Sequence, residues 1–227
     1  MQRGSDHATV TASTYQLIRG DIIAGRLEPG RKLRLDALKI PYGASVSTLR
    51  ESLSRLASEG LVIAEEQRGF RVAPMSAENL RELADLRILL ECHAMEMSFA
   101  QGDTEWESRV VAAYHKLSRI EQRMEAGEHE AREEWKRFDS EFHQALIGAC
   151  GSAELMWAHG GVYDKYLRYQ MRSLTFRGEI AAQEHKILRD AALDRDIATA
   201  RETLGRHIDQ GVAHSLASAP DQETSAK

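Results

Sequence analysis

The stretch Ser45–Gly60, SVSTLRESLSRLASEG, constrains this chain more than any other. As a helix it places Leu49, Leu53 and Leu56 at i, i+4 and i+7 on one apolar face. Ser45, Ser47, Thr48 and Arg50 gather at its N-terminal end. That end can be read as an ordinary serine N-cap. It also suits entry into the DNA major groove, where hydroxyls and backbone N–H groups meet phosphates and an arginine reaches a guanine edge. The residues that follow decide between the two. Glu59-Gly60 stops the helix with a glycine, and Leu61-Val62-Ile63 reads as a short buried strand. Glu65-Glu66-Gln67-Arg68-Gly69 reads as a turn and Phe70-Arg71-Val72 as a returning strand. A helix followed by a hairpin with a basic, glycine-bearing tip describes a winged helix-turn-helix.

Upstream, the residues to about position 10 are expected to fray, and Thr11 or Ser13 can cap a first helix through Tyr15, Leu17, Ile18, Ile22 and Ile23 that ends at Gly25. Pro29-Gly30 makes a turn, and Arg34–Lys39 is a short second helix before Pro41. The order of motifs resembles the GntR-type bacterial transcription regulators. It is carried by Gly25-Arg26-Leu27-Glu28-Pro29-Gly30 with Lys32-Leu33, Leu49-Arg50-Glu51-Ser52-Leu53, Leu56, Glu59-Gly60-Leu61-Val62, Arg68-Gly69 and Val72. The resemblance implies a DNA-binding domain that contacts double-stranded, palindromic operator DNA through Arg34, Ser45, Ser47, Thr48, Arg50, Arg68 and Gly69. One position departs from it. Val46 stands where the family usually carries an arginine, and a valine offers a base nothing beyond contact with a thymine methyl.

Charge divides the chain in the same way. Residues 1–75 hold 11 Lys and Arg against 8 Asp and Glu, and the remainder holds 19 against 27. A basic head on an acidic body fits a DNA reader joined to a regulatory module, and the modest excess implies affinity gained through a homodimer. The two cysteines, Cys92 and Cys150, make neither a disulfide framework nor a cysteine zinc site, and each sits in an apolar helical context. No signal core and no run of ~18 apolar residues occurs, so no membrane is expected and the location is cytoplasmic.

After Pro74 the pattern changes. Ser76 is a suitable N-cap, and six helices with short connections follow, without a strand pattern. The fold expected is mainly α: residues 1–75 a winged helix-turn-helix, residues 76–217 an all-α bundle, and residues 218–227 a polar, disordered tail. In the first bundle helix Leu80, Leu83, Leu90, Ala94 and Met97 form one stripe. In the second, Trp106, Val110, Ala113, Leu117, Ile120 and Met124 do so.

Four polar residues interrupt these apolar faces. Asp139 and His143 lie four apart on one helix, beside Trp135, Phe138, Phe142 and Leu146. His185 shares a stripe with Ala181, Leu188 and Ala192, and His207 one with Ala200, Leu204 and Gly211. Either each is a core residue with its own hydrogen-bond partner, or one divalent ion satisfies all four, with zinc first and nickel, manganese or iron as alternatives. Arg87 lies within the Leu83–Leu90 stripe, where Glu91 can neutralise it or a carboxylate ligand can be held. Arg168, Tyr169 and Arg172 offer a second anionic anchor.

This half resembles the FCD ligand-binding domain of the FadR subgroup of GntR regulators. The matching runs are Asp85-Leu86-Arg87 with Glu91, Asp139-Ser140-Glu141-Phe142-His143-Gln144-Ala145-Leu146, Cys150-Gly151-Ser152, Glu184-His185, Arg195-Asp196 and His207-Ile208. The resemblance implies metal ligation by Asp139, His143, His185 and His207. It also implies contact between Arg87 and a small organic-acid effector. Residues 102–121 resemble carbon-starvation-induced regulators of dicarboxylate metabolism, which points to glutarate or a similar diacid. A repressor, and not an enzyme, is the function implied. A metal-dependent hydrolase leaves the winged helix unexplained, and a regulator with a purely structural metal and no effector is the other reading.

Overall fold

The computed structural model describes residues 3–65, 68–128, 131–173 and 177–218, and no side chain of 3–10 or of 173. The elements run α1 (Arg3–Ile23), β1 (Lys32–Leu33), α2 (Leu35–Tyr42), α3 (Val46–Ser58), β2 (Val62–Glu65), β3 (Gly69–Val72), α4 (Ala77–Gln101), α5 (Thr104–Glu125), α6 (Arg132–Ile147), α7 (Ala153–Ser173), α8 (Glu179–Leu193) and α9 (Ile197–Ala217). They form two compact units: Met1–Leu80 with Asp164–Arg172, and Arg81–Tyr163 with Ser173–Lys227. The first thus extends five residues past the boundary read from the sequence and takes in part of α7. The tail expected after residue 218, the Glu66-Gln67 tip of the wing and Thr175, where the sequence pattern ends the fourth bundle helix, lie outside the described residues.

The core of the first unit follows from the leucine spacing of α3. Leu49, Leu53 and Leu56 are fully buried, together with Ile18 and Ile22 of α1, Leu33 of β1, Leu38 of α2 and Val72 of β3. Each such side chain stabilises the unit by about 1.5–3 kcal/mol through burial. Ser45 caps α3 by accepting from Thr48 N at 3.2 Å. Gly60, at φ 77°, ends it: Leu61 N reaches Leu56 O at 3.0 Å and Gly60 N reaches Ala57 O at 3.1 Å, a closure that requires the left-handed conformation glycine adopts freely.

Three details differ from the sequence reading. Helix α1 begins at Arg3 rather than beyond position 10. Helix α2 continues through Pro41 to Tyr42, and its end is closed by Gly43 in the left-handed region at φ 57°. The wing is three-stranded, in the order β1-β3-β2, because Lys32-Leu33 pairs antiparallel with Phe70-Arg71. In the hairpin itself Val62 faces Val72 and Glu65 faces Gly69.

In the second unit α5 packs on α6 and α8, and α8 on α9. All six apolar positions expected in α5 are buried. The stripe on α4 is rotated from the expected one. Leu90 and Met97 are only partly buried, while Arg87, Glu91 and Ser98 lie inside. Among the described residues no helix is long and apolar enough to cross a membrane.

The chain's 3 tryptophans, Trp106, Trp135 and Trp157, all lie in the second unit. Leu53→Ala, which empties a fully buried position of the first, should cost about 2–5 kcal/mol there. In denaturant the far-UV circular dichroism transition should move to lower concentration while the tryptophan transition stays in place.

Candidate functional site

In the first unit the N-terminal end of α3 presents Ser45, Ser47 and Arg50 to solvent, and Arg34, Arg68 and Gly69 are likewise exposed. Val46 is half-buried. Thr48 is not presented: it is 3 % exposed, and its hydroxyl lies 2.9 Å from that of Ser45, which also meets Ser47 at 2.8 Å. The reason is helical geometry. Thr48 sits one position before Leu49 and shares the inward-leaning side, so its hydroxyl completes the cap rather than a DNA-facing surface. Arg168 and Tyr169 also belong to this unit. Arg168 donates to Ala73 O at 2.7 Å; the Tyr169 hydroxyl donates to Asn79 Oδ1 at 2.9 Å and accepts from Ser76 N at 3.1 Å. Arg172 is exposed.

In the second unit Asp139 and His143 of α6, His185 of α8 and His207 of α9 are all buried, and one potential ligand atom from each lies within 4.8 Å of the other three. The ring centroids of His185 and His207 are 4.7 Å apart and those of His143 and His207 5.4 Å. Each histidine is held through Nδ1 by a glutamate from another helix. Glu91 Oε2 lies 3.0 Å from His143, Glu121 Oε1 lies 2.7 Å from His185, and Glu184 Oε2 lies 2.8 Å from His207. His207 Nδ1 also lies 2.9 Å from Arg177 Nη2.

Glu91 is shared further. Arg87 donates to it through Nε at 2.5 Å and through Nη2 at 3.4 Å, and His159 Nε2 lies 2.8 Å away. The Arg87 guanidinium stacks on the Tyr163 ring, 4.7 Å from its centroid. The buried Lys136 lies 3.6 Å from Asp139 Oδ2 and 4.1 Å over the Trp135 ring. Of the four residues expected to meet an anionic effector, Arg87 alone joins this network. Arg168 lies more than one helical turn beyond Tyr163 on α7, in the other unit.

These neighbours set the charges. Burial opposes ionisation of Asp139, yet the nearby charges of Lys136 and His185 hold it well below the usual carboxylate range. Burial likewise opposes Glu91, and Arg87 with His143 outweighs it. Burial and then Arg87 lower His143, while burial and the neighbouring His185 and His143 lower His207 well below the ordinary imidazole value. His185 goes the other way, to about 9, because Asp139 and Glu121 overcome its burial. Ionised Asp139 and neutral His143 and His207 are ligating forms, and a metal would displace the extra proton from His185.

The donor set fits a divalent ion on a specific observation. His143 Nε2 and His185 Nε2 are buried and meet no hydrogen-bond partner among the described residues. His185 Nε2 comes within 3.3 Å of Asp139 Oδ1, an ion-pair distance without hydrogen-bond alignment. A buried polar atom left unmatched costs about 1–3 kcal/mol, and one cation between these atoms removes the cost twice. Lys136, His159, Glu121 and Arg177 were not singled out from the sequence. For Glu121 the signal was there: it is i+4 from Leu117, beside the fully apolar stripe of α5.

Residues 10–72 match the family model described as bacterial regulatory proteins, gntR family, and residues 82–210 match the FCD domain. The chain is 40% identical over 206 residues to the uncharacterized HTH-type transcriptional regulator BphR of Paraburkholderia xenovorans (strain LB400), covering 88% of this chain and 83% of the relative. It is 34% identical over 200 residues to the HTH-type transcriptional repressor GlaR of Escherichia coli (strain K12), covering 86% and 90%. In fold it is similar to E. coli McbR/YncC, with a TM-score of 0.75 at 17% identity over 92% of this chain and 97% of that one. The two sequence relatives are HTH-type transcription regulators, not enzymes.

For a DNA reader with this exposed surface, Arg50→Ala should weaken operator binding by about 1–3 kcal/mol and relax the preference at one base pair. Arg68→Ala should weaken binding to all sequences alike and reduce the slope of log affinity against log salt by about 1. Fluorescence anisotropy with a selected operator, titrated at several salt concentrations, checks both.

Proposed function

Because the chain belongs to the gntR family of bacterial regulatory proteins and carries an FCD domain behind its DNA-binding segment, we propose that it is a homodimeric repressor whose hold on a palindromic operator is set by a divalent metal and a small carboxylate bound in the helical unit. The observation that carries this reading is the convergence of Asp139, His143, His185 and His207 within 4.8 Å, with two imidazole nitrogens left without a partner. Imidazole and carboxylate donors without a thiolate favour zinc, with nickel, manganese or iron also suited. When bound, the ion would supply a Lewis-acidic centre with coordination positions open to a carboxylate oxygen.

The residues around the cluster support an anionic effector, and a short diacid such as glutarate fits the pattern. Arg87 and Lys136 place two buried cations beside the ligands. Arg87 is already paired with Glu91, so an incoming carboxylate would share the guanidinium with Glu91 rather than meet an empty anchor. Arg87 therefore joins effector and ligand networks, since Glu91 also orients His143. Such an effector alters DNA affinity only if it binds the DNA-competent and DNA-incompetent conformations unequally. In a dimer the difference is felt as the separation of two recognition helices, about 34 Å on a palindrome.

Three measurements on the purified protein test the reading together: metal content, thermal stability and operator affinity. Zinc at about 100 times its dissociation constant should stabilise the protein by roughly 2.7 kcal/mol. Short dicarboxylates should raise the melting temperature further and change operator affinity. Both effects should vanish after chelation and in Asp139→Ala. Failure of the wild type to take up any divalent metal, or a diacid response that survives chelation, would overturn it.

A further inference from the structure

We propose that Glu91 and Glu121 are positioning residues that decide which ring nitrogen of His143 and of His185 faces the metal. The inference rests on the metal reading above but concerns a property the rings carry by themselves. Glu91 Oε2 lies 3.0 Å from His143 Nδ1 and Glu121 Oε1 lies 2.7 Å from His185 Nδ1. The glutamates are 1 % and 2 % exposed and both histidines are fully buried, so water does not compete for these contacts.

An ionised carboxylate only accepts hydrogen bonds, so the proton between each pair belongs to Nδ1. A neutral ring with its proton on Nδ1 carries its lone pair on Nε2. Those two Nε2 atoms are the ones without partners, and that of His185 approaches Asp139, itself a ligand. Each ligand is thereby locked from a different helix: His143 of α6 by Glu91 of α4, and His185 of α8 by Glu121 of α5. The glutamates hold both rings with the donor atom aimed inward and make the imidazoles more basic. His207 is a different case. Its Nδ1 meets an acceptor, Glu184 Oε2 at 2.8 Å, and a donor, Arg177 Nη2 at 2.9 Å, so no single tautomer is imposed there.

Glu121→Gln is the discriminating variant. Among the described residues its carboxylate is hydrogen-bonded to His185, whereas Glu91 also neutralises the buried Arg87, so changing Glu91 risks the fold. A glutamine has nearly the same shape but offers Nδ1 either an oxygen or an NH2 group, and the choice of tautomer is lost. With Zn2+ titrated against a chromophoric chelator, Glu121→Gln should bind about 10–100-fold more weakly than the wild type. Because Glu121 also partners the charged His185 ring, Glu121→Gln should lower the melting temperature before zinc addition. Both titrations are therefore run well below the two melting temperatures, where a merely structural role for Glu121 would leave zinc affinity unchanged.

The second readout is direct. In protein labelled with 15N-histidine, long-range 1H–15N spectra should show His143 protonated at Nδ1 before zinc is added. After zinc is added, both His143 and His185 should be protonated at Nδ1 and coordinated through Nε2. Unchanged zinc affinity in Glu121→Gln, a His143 ring protonated at Nε2, or coordination through Nδ1 at either residue would overturn the proposal. A wild type that carries Nδ1–H on His143 but takes up no zinc would instead uphold the tautomer and remove the metal reading, so the two failures are distinguishable.

Discussion

Buried charge is the constraint on which the second unit depends. Glu91, Glu121, Asp139 and Glu184 are four carboxylates with almost no access to water. An ion moved into a protein interior loses several kcal/mol of hydration unless close partners restore it. Arg87, Lys136 and Arg177 pair with them, Arg206 lies 3.8 Å from Glu184 as well, and Asp139 and Glu121 favour a second proton on His185 by raising it to about 9. This pairing lets the α4 stripe turn inward at Arg87 and Glu91 instead of continuing through Leu90.

The DNA-reading unit obeys a different logic, with an apolar core and a polar rim. Three leucines of α3 fix that helix against α1, and capping by Ser45 leaves Ser47 and Arg50 exposed at its start. Burial of Thr48 narrows the exposed hydroxyls to Ser45 and Ser47. With Val46 half-buried between them, the helix start is less cationic than an arginine at that position would make it.

Much of this was legible in the sequence because it rests on local periodicity. The six bundle helices, the leucine face of α3, the hairpin and the inward faces of Asp139, His143, His185 and His207 all follow from residue spacing along single elements. What escaped the reading depends on contacts distant in sequence or on chain ends. Lys32-Leu33 is too short to announce itself as a strand and exists by pairing with Phe70-Arg71. Pro41 reads as a stop, yet α2 accommodates it in its last turn. The glutamates behind the histidines lie 52 and 64 residues from their partners, so no motif spacing joins them. Arg168 and Tyr169 offer themselves in the sequence as a second anionic anchor, but nothing in a helical period tells which unit a given turn of a long helix serves.

X-ray absorption at the zinc edge of the reconstituted protein tests the central claim most directly. A shell of about three imidazole nitrogens at ~2.0–2.1 Å with carboxylate or water oxygen at ~2.0–2.2 Å is required if Asp139, His143, His185 and His207 hold the ion. The oxygen contribution should change when a dicarboxylate is added. A shell containing sulfur, or one of oxygens with no imidazole scattering, would contradict it, because the ion would then be bound away from the buried cluster.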